Sequence, residues 1–299
     1  MPRRVSAALA IATLVSLLPS PALAWGTAAH KAIMRRAIDI LPPEIMPFFV
    51  EHRDEMIVRT VDPDMWRSVG WDEDPNHFVN FGAPELGPSG TNMPRDYTAA
   101  LQKFGAFTLK RLGMLPWREA EMFGNLQRGF ERAGKGGIPS NVGELLVFAG
   151  AASHYVQDAT QPLHGANNYD GQLSDQRGVH SRFEAELFER FESRLTLTPA
   201  PPKLITSPRD FAFDTLLTSY QRVDALLKAD KEAIGTKDSY DDAYFEAFFS
   251  KVKPMMEERL SLAITATASV LVSAWEQAGR PSLTGPSTPR PPQKVQRAR

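Results

Sequence analysis

Over residues 142–159 the sequence is apolar almost all round a helical wheel: Leu145, Leu146, Val147, Phe148, Ala149, Ala151 and Ala152 leave no polar face. A helix of that kind must be covered on every side, so it belongs in the middle of a bundle. Ser140 or Asn141 can cap it, with Glu144 in its first turn. Within this apolar surround stand His154 and Asp158, one turn apart and therefore on one face. Burying an imidazole and a carboxylate there costs several kcal/mol unless they pair with each other or hold a metal.

Sequence context weighs between those two outcomes. The chain has six histidines, and three fall in one stretch: His154, His164 and His180, with Asp158 and Glu184 beside them. His180 and Glu184 repeat the four-residue spacing, and Pro162-Leu163-His164 joins the two pairs. Two such pairs close in sequence weaken the case for an ordinary hydrogen-bonded core pair. Imidazole with carboxylate is the ligand set that zinc accepts in catalytic sites.

Helical periodicity dominates the remainder. Ala29, Ile33, Ala37 and Ile40 mark a first helix closed by Pro42-Pro43, and a second is expected over 44–58. Residues 60–95, crowded with Pro, Gly, Asp and aromatics, read as a long functional loop. Helices are expected over 97–112 and 117–133, a loop over 134–139, a polar loop over 161–178, and a helix over 180–195. Two or three more fill 208–276, without an alternating strand pattern or an internal repeat. The fold class is all-α, one multi-helix domain over 25–276.

The ends differ from this body. Residues 1–24 have a basic start, a short apolar run, a Pro break and Ala22-Leu23-Ala24, the pattern of a cleaved signal peptide. The apolar run is too short to cross a bilayer, which needs about 20 residues, and no later segment resembles it. A secreted or periplasmic protein without a transmembrane segment is expected. Residues 277–299, rich in Pro, Ser and Arg, read as a disordered tail. The chain has no cysteine, so an exported fold of this kind relies on its core or on metal ions rather than disulfides. A formal net charge of -1 argues mildly against a protein held on nucleic acid by phosphate neutralisation.

Ser153-His-Tyr-Val-Gln-Asp158, Gln161-Pro-Leu-His164 and Gly178-Val-His180-Ser-Arg-Phe-Glu184 resemble the zinc-dependent bacterial phospholipases C. They are also similar to the related fungal single-strand nucleases, which act as 3′-nucleotidases. Both groups are helical, bind three zinc ions, and begin the mature chain with a tryptophan whose free amine and carbonyl ligate zinc. Trp25 directly follows the expected cleavage site. The resemblance implies a single all-α domain around a trinuclear zinc cleft. Asp64, His77, His154 and Asp158 would hold one ion. Trp25, His30 and a bridging Asp158 would hold the second, and His164, His180 and Glu184 the third. Asp62, in Asp62-Pro63-Asp64, competes with Asp64 for its place; His52 is left over as a surface helix residue.

The implied activity is hydrolysis of a phosphodiester, with Asp64 as the catalytic residue that orients a water or accepts its proton. Glu184 in place of an aspartate, the short separation of His164 and His180, and the lack of cysteine lean toward a phospholipase C-like esterase, working as a monomer on a phospholipid head group. A single-strand nuclease or 3′-nucleotidase is the alternative; Trp66, Trp71, Phe78 and Tyr169 could stack a base or cage a choline ammonium. An exported zinc-binding protein without catalysis is the third reading. The loop 167–172 is open between a rim of the pocket and an ordinary turn.

Overall fold

The computed structural model describes residues 25–87, 90–136 and 142–283, with side chains through Ala133 in the second of these segments. The expected signal peptide, the caps Ser140 and Asn141, and positions 284–299 of the expected tail lie outside the described residues. The described chain is mostly helical with almost no strand. A parallel bridge between Phe81 and Ala166 is isolated.

The helices are α1 (Thr27–Asp39), α2 (Met46–Glu51), α3 (Arg53–Arg59), α4 (Asp62–Ser68), α5 (Tyr97–Leu112), α6 (Leu115–Gly136), α7 (Val142–Thr160), α8 (Val179–Ser181), α9 (Leu187–Phe191), α10 (Pro208–Tyr220), α11 (Val223–Ile234) and α12 (Asp242–Gln277). As its composition demands, α7 lies in the centre, packed by α6, α12, α3 and α10. Leu145, Leu146, Ala149, Ala151, Ala152 and Val156 are all buried. Asp96, Ser207 and Asp241 cap α5, α10 and α12, each carboxylate or hydroxyl oxygen accepting an amide of the first turn. Among the described residues, no helix is long and apolar enough to cross a membrane.

Four expectations are corrected. The helix foreseen over 44–58 is two, α2 and α3, because α3 turns to pack on α7 as well as α1. The long loop at 60–95 contains α4 and a 3₁₀ turn at Asp74–His77. Pro63 near the first helical position, with Asp62 and Asp64 in the first turn, favours a helix start there. The loop placed at 134–139 begins later, since α6 runs to Gly136. The tail placed from 277 also starts later: Gln277 ends α12, Trp275 Nε1 donates to Pro281 O, and Leu283 is buried.

Residues 195–205 form a non-helical strap along α12. Backbone N–H groups of Thr196, Thr198, Ala200, Lys203 and Ile205 donate to side chains of Glu257, Ser261, Thr265, Ser269 and Ser273. Those acceptors recur every fourth residue, so they form one stripe on the helix. Those five amides are thereby satisfied without a sheet.

Glu119, on the buried face of α6, is the costly exception in this interior. It has no solvent exposure, neither carboxylate oxygen has a hydrogen-bond partner, and burial pushes its pKa well above the ordinary 4.5. The unfolded carboxyl ionises near 4.5 while the folded one stays protonated, so unfolding releases a proton. Above that pH, native stability therefore falls by about 1.4 kcal/mol per pH unit until the folded pKa is reached. Glu119→Gln is expected to match the parent near pH 4.5 and to gain on it progressively toward pH 7. Melting curves at a series of pH values test this; a pH-independent difference would show that the side chain is hydrated or paired.

Candidate metal centre

The C-terminal half of α7 carries the site. Gly150 permits it: a Cβ there would meet Arg59 backbone atoms at 2.7 and 2.8 Å, so only glycine lets α3 lie this close to α7. That approach brings the carbonyl of Thr60 to His154, one turn further on. His154 Nδ1 lies 2.9 Å from Thr60 O.

The same arrangement recurs round the site. His30 Nδ1, from α1, lies 2.6 Å from Gln157 Oε1; His164 Nδ1 lies 2.6 Å from His77 O; His180 Nδ1 lies 3.0 Å from Tyr169 O. Each acceptor is an oxygen, so each Nδ1 carries its proton and donates. The Nε2 atoms of all four rings are left to face the carboxylates, which is how metal-ligating imidazoles are held. His77 is turned the other way, with Nδ1 facing Asp158 Oδ2 at 3.0 Å and His154 Nε2 at 3.1 Å.

Asp158 stands between two sets of rings. Its Oδ1 is 3.3 Å from His30 Nε2, while its Oδ2 is 3.2 Å from His154 Nε2. Asp64 Oδ1 is 3.9 Å from both His77 Nδ1 and His154 Nε2. At the far end Glu184 Oε2 is 2.8 Å from His180 Nε2 and 3.8 Å from His164 Nε2, and accepts from Gln161 Nε2 at 2.8 Å. Three buried groups result, each able to hold a metal ion: His30, His154 and Asp158; Asp64, His77 and His154; His164, His180 and Glu184.

Two observations decide whether these groups fit a cation. Ligands on a tetrahedral ion with bonds of ~2.0–2.2 Å sit about 3.3–3.6 Å apart, and the spacings above bracket that range. Moreover His30 Nε2, Asp64 Oδ2, Asp158 Oδ1 and His164 Nε2 are buried without a hydrogen-bond partner. Unmet polar groups of that kind each cost about 1–3 kcal/mol; a cation takes up such lone pairs. The groups fit metal ions, and the donor set leaves the metal's identity open.

The electrostatics agree. Burial opposes charge on Asp158, yet His154 and His164 hold its carboxyl well below the usual range. Glu184 is lowered against burial by His180 and His164. Burial also opposes charge on His154, but Asp158 and Asp64 lift its pKa to about 9. His77 goes down, chiefly through burial, although Asp158 resists. Asp158 and Glu184 are therefore held as anions in a buried, proton- or cation-demanding pocket.

Of the residues foreseen from sequence, His30, Asp64, His77, His154, Asp158, His164, His180 and Glu184 are brought together. Asp64 is fully buried in the cluster, while Asp62 is partly exposed and pairs with Arg59. The sharing differs from the expected scheme in two respects, since His154 stands in two groups and Asp158 in one. Trp25 is buried and its indole donates to Thr160, two residues beyond Asp158. His52 lies outside the cluster against Phe48. The loop at 167–172 both rims the cleft and braces the site: Tyr169 lines the opening and its carbonyl accepts a hydrogen bond from His180 Nδ1.

Several supporting residues were not foreseen. Gln157 had a signal, as an amide one turn from His154 in an apolar helix; the carbonyls of Thr60 and Tyr169 had none. Arg182 had none either, although it braces the π-helical turn Arg182–Glu186 that follows His180. Its guanidinium binds Asp230 Oδ1 at 3.0 Å and the Tyr244 hydroxyl at 2.9 Å, and lies 3.8 Å over the Tyr240 ring. Arg182→Met, which removes the counter-charge of the buried Asp230 and leaves it only the neutral donors Gln176 and Tyr244, is expected to destabilise the fold by about 3 kcal/mol. Denaturant unfolding checks this; a change below about 1 kcal/mol would place the pair in the exposed class.

A cleft of about 740 Å³ opens onto His77, His164 and His180. Arg67, Lys110 and Arg111 line it together with the aromatic rings of Phe78, Phe107 and Tyr169. Compared with known protein families and curated proteins, the sequence matches no family model and no curated relative.

Proposed function

We propose that this chain is an exported zinc-dependent phosphoesterase, phospholipase C-like, which hydrolyses a phosphodiester in the cleft that opens onto His77, His164 and His180. The observation that carries the reading is the common orientation of His30, His154, His164 and His180, each with Nδ1 bound to an oxygen and Nε2 aimed at a buried carboxylate. Hydrogen bonding within a core does not call for that repeated orientation, which is the one in which metal-ligating imidazoles are commonly held. Zinc, when bound, supplies Lewis acidity toward phosphate oxygens and a water acidic near neutral pH.

The chain's own residues supply the rest. Asp64, buried beside His77 and His154 with its Oδ2 unpartnered, is the residue proposed to orient a water or accept its proton. Arg67, 3.4 Å from Asp64 Oδ1, pairs with that carboxylate and lines the cleft where a phosphate would lie. Burial of the ligand groups excludes water from all but one side. Removal of residues 1–24 would free the Trp25 amine, which as an amide is a poor ligand, so export and activation are coupled.

Charge pairing favours a lipid over a nucleic acid. Among the cleft cations, Lys110 pairs with Asp72, Arg111 with Glu85, and Arg67 with Asp74 and Asp64. A polyanion would have to displace those carboxylates. The nuclease or 3′-nucleotidase reading keeps one observation in its favour, the aromatic rings in the cleft wall.

The test compares the mature, zinc-replete protein on a short-chain phosphocholine glyceride, single-stranded DNA and a 3′-nucleotide, before and after chelation. The phosphocholine ester is expected to turn over fastest, activity to vanish with chelator, and zinc to restore it. Cleavage of DNA with the ester untouched would overturn the phospholipase assignment. Bound zinc with no hydrolysis of any substrate would leave a non-catalytic zinc protein.

A further inference from the structure

His77 serves two ligand groups at once, and by different atoms. Its ring turns Nδ1 toward Asp158 Oδ2 and His154 Nε2, at 3.0 and 3.1 Å. Its carbonyl accepts from His164 Nδ1 at 2.6 Å, and the amide of Val79 donates to His164 O at 2.9 Å. The residue ends a single 3₁₀ turn, Asp74–His77, and turns of that kind have poor internal hydrogen-bond geometry. A shift of this turn would move a ring of one group and withdraw the oxygen that orients a ring of another.

Glu73, the residue immediately before the turn, ties it to the helices behind. It is 4% exposed, and both oxygens of its carboxylate are taken. Oε1 accepts from the Tyr155 hydroxyl and from Asn76 Nδ2 at 3.0 Å, within the turn. Oε2 accepts from Arg118 Nη2 at 3.0 Å. Arg118, on α6, also donates to the Tyr155 hydroxyl at 3.2 Å. Tyr155 follows His154 on α7, and its ring lies 5.5 Å from that of His77 and 5.4 Å from that of His154. Glu73, Arg118 and Tyr155 belong to none of the ligand groups. A buried ion pair returns little net stability; a fully satisfied network does supply one fixed arrangement.

We propose that Glu73 is a positioning residue. Through Tyr155, Arg118 and Asn76 it holds the Asp74–His77 turn, and so sets the metal affinity of two ligand groups: Asp64, His77 and His154; and His164, His180 and Glu184. The third group, His30, His154 and Asp158, contains neither His77 nor His164 and keeps its affinity. The inference rests on the metal-binding part of the function proposed above and is independent of the substrate.

The experiment uses mature, zinc-loaded protein titrated with a chromophoric chelator, which reads the affinity of each ion as it leaves. A parallel sample is loaded with cobalt(II), whose visible absorption reports ligand geometry. Glu73→Ala is expected to weaken two of the three ions by about 10–100-fold, to change the cobalt absorption, and to leave one ion unaffected. Tyr155→Phe keeps the ring and loses only the hydroxyl, and should weaken the same two ions by about 2–10-fold. Glu73→Gln retains an oxygen for Tyr155 and Asn76 and should recover part of the Glu73→Ala loss. Val252→Ala opens a cavity in α12, far along that helix from Thr267, where its hydroxyl meets Gln157. That control should lower the melting temperature and leave every zinc affinity as in the parent.

Unchanged zinc affinities and cobalt absorption in Glu73→Ala and Tyr155→Phe would overturn the positioning role and leave the metal centre standing. Should Glu73→Ala fail to fold, the Tyr155→Phe titration decides alone. Equal weakening of all three ions, or the same loss in Val252→Ala, would show general loosening of the fold and reject the role. A parent that takes up no metal would overturn the metal centre together with it. Metal binding without hydrolysis of any substrate would remove the phosphoesterase reading alone, and the two weakened ions would still support Glu73.

Discussion

Asp158→Ala is expected to release more than one metal ion per chain and to abolish hydrolysis. Elemental analysis of the mature parent should find close to three zinc ions, one for each ligand group. Asp158 addresses two of those groups at once, Oδ1 toward His30 and Oδ2 toward His154 and His77. Its removal leaves imidazoles facing one another with no anion between them, and the like charges of any bound cations lose their shared counter-ion. The third group, built on His164, His180 and Glu184, keeps its own carboxylate and should retain its metal. Activity is expected to fall by about 10²–10³-fold or more. Retention of the full metal complement by this variant would show that the carboxylate does not bridge.

Asp64→Asn and Asp62→Asn should differ as sharply as two neighbouring carboxylates can. Asp64 is buried, lies 3.9 Å from the nearest nitrogens of His77 and His154, and has Oδ2 without a partner. Replacing it removes both an anionic ligand and the proposed proton acceptor, so a loss on the order of 10²–10³-fold or more is expected, with loss of metal from its group. Asp62 is partly exposed and pairs with Arg59 at 3.2 Å. Neutralising it removes an exposed ion pair worth about 0–1 kcal/mol and should leave turnover within a few-fold of the parent. Comparable losses in the two variants would remove Asp64 from its assigned role.

The contrast between these aspartates shows what a sequence can and cannot carry. Asp62-Pro63-Asp64 offers two carboxylates of equal chemistry, and spacing admits either. Their fates part because α4 begins there: two residues along a helix is about half a turn, so one side chain faces α7 and the other faces solvent. That helix was itself obscured, since its Pro and Asp residues also read as loop formers, although at a helix start they are favourable.

What the sequence determined by itself was local chemistry with a long reach. The apolar run at 142–159 required a central helix, and the four-residue spacings of His154 with Asp158 and His180 with Glu184 put imidazole and carboxylate on shared faces. Tertiary structure alone decided which groups meet. Gly150 lets α3 close on α7 and delivers Thr60 O to His154; Arg182 is braced by Asp230, 48 positions away. The paired cations and the exposed rim of the cleft were equally invisible, because helical periodicity reports which face of an element is apolar and not which other element covers it. Contacts between distant segments depend on how those faces are packed, and packing is a property of the whole chain.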